Sequence, residues 1–337
     1  MDISASEPLN LNNMKIMFIV TIDTEMDKSL SWNVSVNETF NSVLYGIPDT
    51  YTPLFDEFGV KPTYLLSSEV INHQGCIRVL KNINNCELGT HLHGELVEPE
   101  GIKGSLSNIS ITDMECSYSK EIEYKKLKNL TVLFKEKLGY LPTSFRAGRF
   151  GAGDNTIPSL ERLGYLVDSS VTPGVDWNYP EGRANYIMAR EQPYFPSKDN
   201  LLNEGSTKIL EVPVSITTSK FRKPCYSAME TIRFPLANHM VDRIFPAHWL
   251  RPSCTNASEM IQVITKLVKF YQRNKVVVLN MMFHSMEIIP CASPYTKNEE
   301  ESHAFLERIR MVFKYCLANN ITFVKMSDLY SMFITRN

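Results

Sequence analysis

Three short stretches of this chain carry side chains able to hold an ion or move a proton. The first is Thr21-Ile22-Asp23-Thr24-Glu25, which closes an apolar, β-branched run. Successive side chains of an extended chain alternate faces, so Asp23 and Glu25 point the same way. Two carboxylates behind a buried run are costly unless they are paired or bind metal. The second is Gly89-Thr90-His91-Leu92-His93-Gly94-Glu95. The same alternation puts His91 and His93 on one face, with Glu95 following where the chain stays extended. Two neutral imidazoles so placed form a template for zinc or a similar ion. The third is Met281-Met282-Phe283-His284-Ser285-Met286-Glu287, which sets His284 at the end of an apolar run as an acid or base; Met281 and Met282 read as core packing.

Two further stretches are weaker signals alone. In Ser144-Phe145-Arg146-Ala147-Gly148-Arg149-Phe150-Gly151, glycines flank an arginine, which suits close backbone approach and a fixed guanidinium. Asp168-Ser169-Ser170 and Asp176-Trp177 contain residues that commonly open turns.

The elements that would position these groups alternate between strand-like and helix-like runs. Strands are expected at 15–23, 61–67, 86–93, 143–147, 166–171, 209–214, 275–283 and 321–325. Helices are expected at 47–58 (closed by Gly59), 69–84, from a capping box at Thr112–Glu115 to Lys137, at 156–163 (closed by Gly164), 258–273, from a second box at Thr296–Glu299, and from Ser327. Such alternation implies a parallel sheet with helices outside. In that architecture the active groups stand at the carboxyl ends of the strands, where all five stretches fall. The chain reads as an N-terminal tail (1–13) followed by one domain (14–337), with an elaborated loop at about 172–205.

Composition removes several classes of function. With 35 Lys and Arg against 37 Asp and Glu, the net charge is −2, and no basic run marks a nucleic-acid or membrane surface. No segment reaches the ~18 apolar residues of a membrane span. The start of the chain lacks the basic region of a secretory signal, which points to the cytoplasm. Seven scattered cysteines without a C-x-x-C pair indicate neither a thiolate cage nor a disulfide framework.

The order of the motifs (carboxylates, H-x-H, Arg, Asp, His) resembles the NodB-homology polysaccharide deacetylases, over roughly residues 15 to 330. It is closest to the unexported branch whose first motifs read D-x-E and H-x-H. The resemblance implies an α/β distorted (β/α)7-type barrel and a metal-dependent hydrolase. By it, Asp23 is the general base, Glu25 and His91 are metal ligands, and His284 is the general acid. The family's second histidine lies four positions after its first; that position here is Glu95, so His93 takes the role or Glu95 coordinates through oxygen. Arg146 matches the third motif, whose proline is absent, and would hold Asp23 ionised. Asp168 or Asp176 would orient His284.

The cofactor implied is a divalent ion, Zn²⁺ first, with Ni²⁺, Co²⁺ or Mn²⁺ as alternatives. The partner implied is an N-acetylated sugar or polysaccharide, cut by attack of metal-activated water on its amide. Aromatic residues of the long loop, Trp177, Tyr179, Tyr186 and Tyr194, could stack on sugar rings or simply close the barrel mouth. Arg149, Trp249 and Arg251 are further substrate-binding candidates. Two alternatives stand beside this reading: hydrolysis of another small amide on the same barrel, and a carbohydrate-binding protein without turnover.

Overall fold

The sheet is built outward from strand β1 (Lys15–Thr24), every residue of which is buried after Lys15. A computed structural model describes residues 14–32, 39–99, 114–178, 183–231 and 237–334. The tail 1–13, Thr112 and Tyr179 lie outside the described residues. On one side β1 pairs in parallel with β11 (Val276–His284), from Lys15↔Val276 to Asp23↔His284. On its other side β2 (Thr63–Leu66) pairs with the carboxyl half of β1, and β12 (Thr322–Phe323) pairs with Met17 and Phe18. Beyond β2 follow β3 (Glu87–Leu92), β4 (Ser144–Ala147), β5 (Val167–Asp168) and β8 (Leu210–Glu211), all parallel.

The result is a curled parallel sheet of seven strands in the order β11-β1-β2-β3-β4-β5-β8, with β12 as an eighth along β1. Residues outside β8 close the seam toward β11, one through its side chain and one through its backbone. Gln192 donates to Val278 O (3.1 Å) and accepts from Val278 N (2.9 Å), while Ser215 N donates to Asn280 O (3.1 Å). Two small antiparallel pairs, β6 (Asp176–Asn178) with β7 (Arg183–Asn185) and β9 (Ile216–Thr217) with β10 (His248–Trp249), stand off the main sheet.

Alternation along β1 divides the core in two. Phe18, Val20 and Ile22 pack outward against helices, among them α1 (Thr52–Phe58) through Phe55 and α9 (Glu299–Ala318) through Phe313. Met17 and Ile19 face the other way, into a cluster with Leu65, Val167, Leu210, Val276 and Val278. Met326 and Leu329 of α10 (Met326–Ile334) join that cluster, so the last helix plugs the barrel at the amino ends of the strands. The next inward positions of β1 are Thr21 and Asp23, and the interior therefore turns from apolar to polar toward the carboxyl ends.

Several helix boundaries differ from the sequence expectation, each for a local reason. The first helix begins earlier: a π-helical stretch, Ser42–Tyr51, runs into α1, and Gly59 closes it in the left-handed region (φ 65°). The run expected at 69–84 breaks at His73, which is extended. Its Nδ1 caps a new helix by accepting from Cys76 N, giving α2 (Ser68–Asn72) and α3 (Gln74–Lys81). Helix α4 (Lys120–Leu138) is capped by Ser119, whereas the expected box begins at Thr112, outside the described residues. α5 (Thr156–Leu163) is as expected.

The helical hairpin α6 (Arg222–Thr231) and α7 (Ala237–Ile244) and the helix α8 (Ala257–Phe270) fill the stretch before β11. Asn256 and Glu259 form the capping box of α8. α9 is capped by Asn298, not Thr296, because the Asn298 side-chain oxygen reaches Glu301 N (2.8 Å).

Candidate active site

The inward parity that buries Met17 and Ile19 carries straight to Asp23 on β1. Its neighbour in register on β11 is His284, and His91 on β3 is the register neighbour of Arg146 on β4. Four separate strands thus deliver Asp23, His91, Arg146 and His284 to one end of the barrel.

Arg146 is fully buried, and each of its three nitrogens donates. Nη1 meets Asp23 Oδ1 at 2.6 Å, Nη2 meets Thr21 Oγ1 (2.7 Å) and Ser169 Oγ (2.9 Å), and Nε meets Ser169 O (2.8 Å). Asn280 ties the same layer together: its Nδ2 donates to Ser169 Oγ (2.9 Å), and its Oδ1 accepts from Thr21 Oγ1 (2.9 Å). Burial pushes the Asp23 carboxyl up, but the charges of Arg146, His91 and His284 outweigh it and hold Asp23 below its ordinary value. An ionised carboxylate with one oxygen on a fixed guanidinium leaves the other, Oδ2, facing His284 Nε2 at 3.9 Å.

Glu25, His91 and His93 converge beside it. One ligand atom from each lies within 4.8 Å of the others, and all three residues are buried. His91 Nε2 is 3.3 Å from Glu25 Oε1, and His93 Nε2 is 3.4 Å from Glu25 Oε2. Each ring is fixed from behind through Nδ1, His91 by Arg146 O (3.0 Å) and His93 by Glu95 Oε1 (3.3 Å). A carbonyl or carboxylate behind Nδ1 keeps a hydrogen there, so each ring in its neutral form turns the Nε2 lone pair inward. The buried His93 Nε2 has no hydrogen-bond partner. An inward lone-pair set of two imidazoles and a carboxylate fits a divalent ion such as zinc.

The chain turns at Gly94–Leu96, a 3-10 helix, so Glu95 does not continue the alternation of His91 and His93. Its carboxylate instead stands behind His93 and pairs with Arg149 Nη2 at 2.6 Å. Burial opposes the charge on Glu95, while His93 and Arg149 hold it well below its ordinary range. Burial likewise opposes the proton on His93, yet the carboxylates of Glu25 and Glu95 push it up to about 10. Lys28 makes a close ion pair with Glu25 Oε2. Gly148 must be glycine: a Cβ there would sit 2.5 Å from Leu92 O and 3.1 Å from His93 Nδ1.

His284 Nε2 lies 3.7 Å from Glu25 Oε1. Its Nδ1 is held by Glu287 Oε1 at 2.8 Å, and Arg251 Nη2 meets the same oxygen at 2.7 Å. Arg251 is fixed in turn by Ser253 Oγ (2.8 Å) and lies over the Tyr295 ring at 4.8 Å. Burial acts to raise the Glu287 carboxyl, and Arg251 and His284 hold it below its ordinary value. Glu287 is a site residue that motif reading missed. Its signal was the i,i+3 spacing after His284, which faces His284 only because Ser285–Ile288 form a 3-10 turn.

Neither aspartate expected to orient His284 is in contact with it. Val167 packs in the inner cluster and Ser169 bonds Arg146, so alternation turns Asp168, between them, outward. There it accepts from Ser170 Oγ (2.6 Å) and stands in register with Glu211. Burial raises the carboxyls of both, Glu211 most, and Asp168 adds to it. Asp176 accepts from the Tyr226 hydroxyl (2.9 Å) instead. The carboxylate in contact with His284 Nδ1 is that of Glu287.

The rim is aromatic. Phe150 lies over Arg146 (5.8 Å to Cζ) and stacks on Trp177 at 5.5 Å, and Trp249 completes the group at 6.0 Å from Phe150. Trp177 is fixed by its Nε1 donating to Thr172 Oγ1 (2.8 Å). Trp32, another residue missed from sequence, packs edge-on to His284 (5.0 Å) and Tyr295 (5.6 Å). Tyr186 and Tyr194 are buried structural residues, with their hydroxyls on Ala152 O and Leu201 O. Among the described residues, no helix is long and apolar enough to cross a membrane.

No protein-family model matches the chain, and no curated protein matches it in sequence. Solved structures do share its fold. A protein described as a polysaccharide deacetylase from Mycobacterium smegmatis superposes with a TM-score of 0.52 at 13% identity, over 98% of this chain and 94% of that one. One described as a glycoside hydrolase/deacetylase from Parabacteroides distasonis gives 0.60 at 10% identity, over 98% and 74%. Puue allantoinase gives 0.50 at 12% identity, over 95% and 89%. The fold is thus a deacetylase/glycoside-hydrolase-like (β/α) barrel, as expected from the sequence.

Proposed function

We propose that this protein is a divalent-metal-dependent hydrolase that removes the acetyl group from an N-acetylated sugar or polysaccharide. One observation carries the reading: an inward-facing Glu25–His91–His93 set lies beside an ionised aspartate on a buried arginine and a histidine on a buried glutamate. Glu25, His91 and His93 would hold the ion, and Glu95 supports His93 from behind. When bound, such an ion lowers the pKa of water and polarises a carbonyl.

The chain's own residues divide the proton work. Asp23, kept ionised by Arg146, accepts a proton from the attacking water as its oxygen adds to the amide carbon. The C–N bond then breaks, and His284 delivers a proton to the departing nitrogen, giving acetate and the free amine. An amine leaves poorly unless protonated, so an acid is needed across the site from the base. Glu287 fixes the His284 Nδ1 hydrogen and offsets the imidazolium charge, with Arg251 keeping Glu287 ionised. The half-buried faces of Trp177 and Trp249 supply an apolar platform at the rim for a sugar ring. Arg149 and Arg251, engaged with Glu95 and Glu287, act as supports of the centre.

Metal analysis of the purified protein, followed by assay on N-acetylated monosaccharides, oligosaccharides and ureides, tests the proposal. Stoichiometric metal and acetate release abolished in Asp23→Asn are expected. Turnover of ureides alone would transfer the chemistry to a small-amide hydrolase. Metal-free protein that binds sugars without turnover would make it a carbohydrate-binding relative.

A further inference from the structure

A second cavity of about 410 Å³ opens where Ala152–Asn155 meet β7 and the turn at Asn200–Leu202. It shares no residue with the centre above. Its volume falls in the roughly 300–1,000 Å³ range of small-molecule sites.

Its lining is specific in chemistry. Glu123, from α4, reaches it as a fully buried carboxyl: one oxygen accepts from Thr156 Oγ1, and Oε2 has no hydrogen-bond partner. A buried acceptor left so is costly unless a donor comes to it. Asp154 and the amides of Asn155, Asn185 and Asn200 add polar groups. Two of the amides are oriented: Asn185 Oδ1 accepts from Ile187 N (3.0 Å) while its Nδ2 donates to the Tyr226 hydroxyl (2.8 Å), and Asn200 Oδ1 accepts from Leu202 N (2.8 Å). Leu201, Leu202 and Ala184 add apolar surface to the same lining.

No Lys, Arg or His is among the described lining residues, so nothing there answers an anion. A lone cation would leave most of the volume unfilled. A lining that mixes fixed amides and a carboxyl with aliphatic side chains complements a ring that carries both hydroxyls and C–H groups. We infer that this cavity binds a neutral, hydroxyl-rich ligand, a sugar residue, at a site separate from the Glu25–His91–His93 centre. Burial pushes Glu123 up to about 7, against its hydrogen bond from Thr156, which lets it donate as well as accept near neutrality.

The test is calorimetric binding of D-glucose, N-acetyl-D-glucosamine and its linear tetramer to the full chain, without reliance on turnover. Asn185→Leu and Asn200→Leu fill the cavity from exposed or half-exposed positions, and thermal melts check that each variant folds. Binding weakened at least tenfold in both, and unchanged in His284→Ala, is expected. A tetramer that needs both the cavity and His284 makes the cavity a subsite for the substrate chain; equal monomer binding in His284→Ala makes it a site for free sugar. Binding that survives both cavity variants but is lost in His284→Ala would overturn the inference, as would no saturable binding of any probe. Because the readout is binding, an inactive protein with an intact cavity still passes, and an active one without it still fails.

Discussion

His284 Nδ1 lies 2.8 Å from Glu287 Oε1, and Arg251 Nη2 reaches that same oxygen at 2.7 Å. The proposed acid therefore draws its orientation from its own strand end, three residues on, with a buried arginine keeping the partner charged. Glu287→Gln keeps the shape and removes the charge. We expect kcat to fall roughly 10–100-fold, the size typical of lost supporting contacts, and the alkaline limb of the kcat–pH profile to move to lower pH. Steady-state kinetics across pH checks this; an unmoved limb would assign Glu287 to packing alone.

The standing of His93 against Glu95 is open to direct measurement. With His93 as ligand, His93→Ala loses metal about as severely as His91→Ala, whereas Glu95→Gln weakens it only about 10–100-fold as an outer partner. Competition with a chelator ranks the three. Equal metal occupancy in His93→Ala and the parent would pass the role to Glu95.

Metal uptake should release a proton. With His93 pushed up to about 10 by Glu25 and Glu95, its ring is charged at pH 7, and an ion must displace about one proton to bind Nε2. Affinity then falls as pH falls, and calorimetry in buffers of different ionisation enthalpy reads the proton count. The linkage also fixes a stability trend. A raised folded value contributes stability in full below the ordinary 6.5, and that contribution is lost as pH rises through about 10. Chelated protein should lose melting temperature over that window, and metal-loaded protein should lose less.

Arg146→Met leaves Asp23 charged and buried without its partner. Breaking a buried pair from one side typically costs ~3–5 kcal/mol. Urea unfolding should show a loss of that order, with part of it recovered in Arg146→Met/Asp23→Asn. A loss under about 1 kcal/mol would mean that Thr21 and Ser169, rather than the charge pair, carry the local stability.

What could be read along the chain was whatever a single period governs. Alternation alone put Asp23 beside Glu25 and His91 beside His93, the rhythm of strands and helices implied a parallel sheet with helices outside, and the resemblance carried by the motifs implied the barrel. Those readings rest on backbone geometry within a few residues, and such geometry repeats wherever the strand continues.

Where the strand stops, the rule stops with it. The 3-10 turn at Gly94–Leu96 swings Glu95 behind His93, and the turn at Ser285–Ile288 brings Glu287 onto His284. Asp168 sits between two inward residues, but β5 is only two residues long, too short for its facing to be judged without knowing that Val167 joins the inner cluster. Trp32 and Arg251 reach the site from loops with no period at all. Local conformation selects which face a side chain takes; only packing of distant segments decides what is waiting there.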